Sequence, residues 1–120
     1  MSVFRAVPLH VHSALEVVAA PILFVAPFVL GFSLAAGAAS LALGVLLIGL
    51  ALSLYGEGDR TTVPIQAHAG FDYLLGAATL AVAIIAFIAG DYVAGIFMLG
   101  FGSAHLALTA STRFSRPLGA

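Results

Sequence analysis

The chain has 120 residues, 62% hydrophobic and 8% charged, against a usual charged share of about a quarter in soluble domains. So few polar side chains cannot clothe a water-facing surface, so the solvent for most of this chain is lipid and the fold is a single integral membrane domain. A net charge of −1 without a basic patch argues against nucleic-acid binding, and the absence of cysteine excludes disulfides, thiolate metal sites, Fe–S clusters and thiol catalysis.

Four runs reach the roughly 20 apolar residues that a helical span needs. The first covers residues 9–32 and contains Pro21 and Pro27, which are expected to bend it. Its stretch 15–39 ends in small residues like a signal peptide. It is longer than a signal-peptide core, however, and has His12 and Glu16 at its start, so it reads as a retained helix. Residues 33–37 read as a short apolar turn, and the second helix is expected over 38–55. A polar loop, 56–62, separates it from a third helix over 64–89, with Pro64 suited to the first turn. Gly90 and Asp91 form a tight turn before a fourth helix over 92–110, and a polar tail closes the chain. No lipidation signal is present, since the chain lacks cysteine and does not start Met-Gly.

Arg5, Arg60, Arg113 and Arg116 are the basic residues, and a four-span topology collects all of them on one side. The positive-inside rule makes that side cytoplasmic, with both termini inside, in a plasma membrane of the bacterial type. Tyr55, Tyr73 and Tyr92 fall near the expected interfaces.

The sequence also matches itself at a shift of 56 residues: Pro8 with Pro64, His12 with His68, Glu16 with Asp72, Gly44 with Gly100, and Leu50-Ala51-Leu52 with Leu106-Ala107-Leu108. Proline, histidine and acid are scarce here, so their recurrence carries more than the Ala and Leu matches do. The reading is a duplicated two-helix hairpin, with repeat 1 over about 8–55, repeat 2 over about 64–111 and a tail at 112–120. Each repeat has an even number of spans, so the copies run parallel about an axis along the membrane normal.

Within the first hairpin, Ala26-Pro27-Phe28-Val29-Leu30-Gly31-Phe32-Ser33 followed by a glycine-containing apolar helix resembles the SPW-repeat integral membrane proteins. In that family a Ser-Pro-Trp motif lies in the first helix of a two-helix repeat. Here Ala26 and Phe28 replace its Ser and Trp, and the second copy, Val82-Ala83-Ile84, lacks the motif. The resemblance implies a small multi-span protein and adds no chemistry.

One polar constellation stands out. His12 and Glu16 are four apart on one helical face, His68 and Asp72 repeat the pattern, and His105 lies in the fourth helix at a similar depth from the arginine side. Ionisable side chains within spans usually face the bundle interior and pair. Three readings are open. Each histidine ties to the acid one turn on, as a structural clasp; the cluster holds a metal ion, or a haem through His12 and His68; or it handles protons as part of a small transporter or channel. His10 has no repeat mate, because Gln66 takes its place, and reads as interfacial; Gly49 is the counterpart of His105.

Small residues also recur four apart, at Ala36, Ser40 and Gly44 and at Ser103, Ala107 and Ser111, which suits close helix packing inside the bundle or a dimer contact. No phosphate-binding glycine loop, His-Glu-x-x-His or Gly-x-Ser-x-Gly occurs, so an enzyme is not expected. The expectation is an all-α, four-span membrane protein. It acts as a structural or accessory unit, alone as an oligomer or beside other membrane subunits, with metal or haem binding and proton handling as alternatives.

Overall fold

The computed structural model describes residues 5–54 and 64–115. The polar loop 56–62 with Arg60, the interfacial Tyr55, and the end of the tail with Arg116 lie outside the described residues. Four α-helices follow in order: α1 (Leu9–Leu30), α2 (Leu34–Leu52), α3 (Ile65–Ile88) and α4 (Tyr92–Ala110). Each is long and apolar enough to cross a membrane. At about 1.5 Å per residue they measure about 28–36 Å, which matches a hydrocarbon layer of about 30 Å.

The exterior is apolar and the interior partly polar, the reverse of a soluble protein. Val18, Phe28, Val29, Leu34, Ile85 and Ile88 are exposed, whereas His12, Glu16, Ser40, His68, Asp72 and Thr79 are buried. On α1 the buried positions 9, 12, 13, 16, 20, 23, 26 and 27 keep the spacing of one helical face. Leu23, Leu43, Leu47, Ala83 and Met98 form the apolar centre. The closest pairings are α1 with α2 and α3 with α4, which makes two hairpins packed together.

Three boundaries differ from the sequence expectation. α1 stops at Leu30, because Gly31 takes a left-handed conformation (φ 70°) that ends the helix, and the N–H groups of Gly31 and Phe32 both donate to Pro27 O. Residues 34–37 are helical rather than a turn. Ser33 caps α2 by accepting from Ala36 N–H at 3.2 Å, and its own N–H donates to Asp91 Oδ2 at 2.8 Å. α2 ends at Leu52, where Ser53 and Leu54 turn the chain. α1 remains one α-helix through Pro21 and Pro27. At the same end, Gly90 (φ 84°) turns the chain out of α3, and Asp91 caps α4 by accepting from Ala94 N–H at 3.2 Å.

The small-residue expectation divides. Ala36, Ser40 and Gly44 are buried on α2. The Ser40 hydroxyl donates to Leu23 O at 2.6 Å, and a Cβ on Gly44 would lie 2.9 Å from the Phe24 ring. On α4, by contrast, Ser103 and Ala107 are exposed and Ser111 is half-buried. The inward face of α4 runs through Ala94, Gly95, Met98, Gly102, His105 and Thr109, and one residue of helix rotates Ser103 about 100° away from Gly102. The expectation that the α4 stripe packs inside the bundle is corrected accordingly; the dimer-contact reading is untouched by this.

Candidate functional site

His12 and His68 each lie in the first turn of their helix, three positions after its first residue, and Glu16 and Asp72 follow one turn later. The inward faces of α1 and α3 therefore present a histidine above an acid, and α4 adds His105 from its far end. All five side chains meet. His12, Glu16, His68 and Asp72 offer ligand atoms within 4.8 Å of one another, and all four are at most 1% exposed.

The contacts cross between hairpins as well as along each helix. His12 Nε2 is 3.2 Å from Glu16 Oε2 on its own helix and 2.8 Å from Asp72 Oδ2 on α3. His68 Nε2 is 3.0 Å from Asp72 Oδ2 and 3.3 Å from Glu16 Oε1. His105 Nε2 joins both acids, at 3.0 Å from Glu16 Oε2 and 3.3 Å from Asp72 Oδ1. Three imidazole nitrogens thus converge on two carboxylates, and each histidine touches both.

Two hydroxyls that the sequence does not single out orient the rings. Thr112 Oγ1 donates its one proton to Leu108 O at 2.6 Å, so toward His12 Nδ1, 2.8 Å away, it can only accept. His12 Nδ1 therefore carries a proton. Ser53 Oγ likewise donates to Leu50 O at 2.6 Å and can only accept from His68 Nδ1, at a longer 3.5 Å. Each hydroxyl belongs to the hairpin opposite its histidine, just beyond the end of α2 or α4. Neither has a recognisable spacing to its histidine, so no sequence signal marks the pair. Phe114 packs edge-on against His12, with ring centroids 5.2 Å apart.

With Nδ1 protonated, a neutral His12 or His68 points the lone pair of Nε2 at carboxylate oxygens. Two anions facing lone pairs need a cation between them: either protons on the imidazoles or a metal ion. Ligands on a shell of about 2.0–2.2 Å stand about 3.0–3.4 Å apart as neighbours and about 4.0–4.4 Å apart across it. The nitrogen–oxygen pairs at 2.8–3.3 Å lie near such a shell, and the 4.8 Å spread of the set would close by a few tenths of an ångström around an ion. Imidazole with carboxylate suits first-row transition ions rather than Ca²⁺ or Mg²⁺. Two carboxylates also balance one divalent ion, which matters in a low-dielectric site. Haem does not fit between His12 and His68, because Asp72 Oδ2 lies within 3.0 Å of both Nε2 atoms and occupies the space of the macrocycle.

His10 is exposed and outside the cluster. At the opposite end of the bundle, Asp91 lies beyond the spans. The hydrogen bond from Ser33 N–H, with that from Ala94 N–H, holds its carboxyl below the usual aspartate value of 3.8. Comparison of the chain with family models, with curated proteins and with solved structures finds no match in any of the three.

Proposed function

We propose that this chain is a multi-span membrane protein that binds a divalent transition-metal ion between its two hairpins, through His12, His68, His105, Glu16 and Asp72. One observation carries the reading: three Nε2 atoms converge on two buried carboxylates, while hydroxyls on the opposite hairpin occupy the Nδ1 side of His12 and His68. Hydrogen bonding of the distal ring nitrogen is how proteins orient metal-ligating histidine. The ion would neutralise the carboxylates and join the hairpins, so the metal site and the accessory, helix-tying role expected from composition are one arrangement. The protein would serve as a metal-stabilised unit, as an oligomer or beside other membrane subunits.

The rest of the architecture belongs to the same proposal. The recurrence of Pro, His and acid at a shift of 56 supports a duplicated hairpin, and α1 and α3 begin the same distance apart, at Leu9 and Ile65. The arginines support an orientation with both termini in the cytoplasm of a bacterial-type cell. The stretch 26–33 supports kinship with the SPW-repeat proteins, whose repeat is also a two-helix hairpin.

A second reading has its own support. Every oxygen of Glu16 and Asp72 already has a histidine nitrogen within 3.3 Å, so protonated imidazoles alone would complete the cluster as a clasp between hairpins. Elemental analysis of detergent-purified protein, dialysed against Zn²⁺, Mn²⁺ or Fe²⁺, separates the two. The metal reading expects about one ion per chain, lost in His68→Ala and His105→Ala. Substoichiometric metal in the wild type, or metal retained in both variants, leaves only the clasp.

A further inference from the structure

The end of the bundle that carries Arg5 and Arg113 contains a cavity of about 400 Å³ next to the cluster. Backbone pairing builds it. Val7 and Thr112 form an isolated parallel bridge, in which Val7 N–H donates to Ser111 O at 3.0 Å and Arg113 N–H donates to Val7 O at 2.9 Å. The segment before α1 is thereby fastened beside the segment after α4, and Arg5 and Arg113 line the same cavity. Gln66 and Tyr73 of α3 line it too, and Gln66 is held by donating to Phe114 O at 3.3 Å. Among the described residues, no carboxylate lines it.

A second observation points to a ligand. Thr109 also lines this cavity, is 1% exposed, and its hydroxyl is the one buried side-chain polar atom without a hydrogen-bond partner among the described residues. Buried hydroxyls are nearly always paired, so an unpaired one on a residue that lines a cavity together with two arginines calls for an acceptor.

We propose that this cavity binds a phosphate-type oxyanion. Guanidinium forks pair with phosphate through two parallel N–H···O bonds, and the hydroxyls of Thr109 and Tyr73 supply further donors around a tetrahedral group. The cavity sits at the ends of the spans, the level of lipid headgroups, so the phosphate comes either from an anionic lipid or from solution. The anion touches none of the five cluster side chains, so this inference stands or falls apart from the metal reading.

The test uses the full chain in detergent, with the helical circular-dichroism signal followed through thermal unfolding. One arm titrates inorganic phosphate against chloride at equal ionic strength. The other titrates dihexanoyl phosphatidylglycerol against dihexanoyl phosphatidylcholine. A saturable rise in midpoint is expected. Arg113→Gln, which keeps the backbone bridge, weakens the apparent affinity by about tenfold or more, as does Arg5→Gln. Thr109→Val keeps the side-chain shape. It is expected to raise the midpoint without ligand, because an unpaired buried hydroxyl is removed, and to weaken phosphate affinity. A response to phosphatidylglycerol alone assigns a lipid headgroup, and a response to inorganic phosphate, alone or with the lipid, assigns the free anion as a ligand. No saturable response in either arm, or a response unchanged in both arginine variants, overturns the proposal.

Discussion

The two ends of the bundle are joined by opposite means. At the arginine-bearing end, three histidines and two carboxylates from α1, α3 and α4 form one buried network, and a backbone bridge closes over it. At the hairpin-turn end, the polar link between the hairpins among the described residues is one carboxylate, Asp91, which accepts from Ser33 N–H while capping its own helix. There the remaining contact is steric: Ala36 of the first hairpin meets Ala86 and Ala94 of the second, and within the second hairpin Phe87 packs over Gly95. Polar side chains are concentrated where low dielectric makes each contact strong and each unpaired group costly. Where water reaches, a carboxylate is screened, and shape holds the helices instead.

Substitutions at the two ends should therefore differ in size. The largest loss is expected from Asp72→Ala, because all three histidines touch this carboxylate. Breaking a buried ionic network by removing one partner costs about 3–5 kcal/mol. Denaturant unfolding in mixed micelles measures it, and a loss no greater than that of Asp91→Ala would erase the contrast between the ends. Next comes Gly95→Val at the steric end. A Cβ there would lie 2.8 Å from the Phe87 ring, and overpacking of this kind costs about 1–3 kcal/mol. An unchanged unfolding midpoint would show that Phe87 swings away freely and that shape does not hold α3 against α4 here.

Thr112→Val sharpens the comparison within the network. It removes the acceptor of His12 Nδ1–H without touching a ligand atom, so metal affinity in competition with a chelator should fall about 10–100-fold with little change in helicity. Ser53→Ala should cost less, given its longer 3.5 Å contact. The smallest effect belongs to Asp91. Its folded carboxyl titrates below 3.8, the usual aspartate value, so its contribution is complete above that value and fades as pH falls through the lower folded one. Asp91→Asn keeps an acceptor for the cap and should flatten stability against pH in this acid range. Asp91→Ala should cost about 1 kcal/mol at neutral pH. A wild type and Asp91→Asn with parallel acid profiles would show that the Ser33 contact contributes nothing.

Much of this was legible in the residues themselves. The four helices follow from runs of about 20 apolar residues, and α4 begins and ends where its pattern does. The start of α2 was not legible, because a cap formed by Ser33 together with a distant Asp91 leaves residues 34–37 looking like an apolar turn. The packing face of α4 was not legible either. Spacing of four describes any stripe on a helix, and only the neighbouring helix decides which stripe turns inward; here it is the one through Gly95 and Gly102, not Ser103 and Ala107.

By itself the sequence determined that the chain forms four apolar helices and that His12 shares a face with Glu16 and His68 with Asp72, because both properties depend on local composition and a 3.6-residue period. Only the tertiary structure decided that the pairs cross between hairpins, that His105 reaches both acids, and that Thr112 and Ser53 turn the histidine rings. Those contacts join residues 33–100 positions apart, apart from Ser53 and His68 at 15, and no period encodes the distance between two helices once they pack.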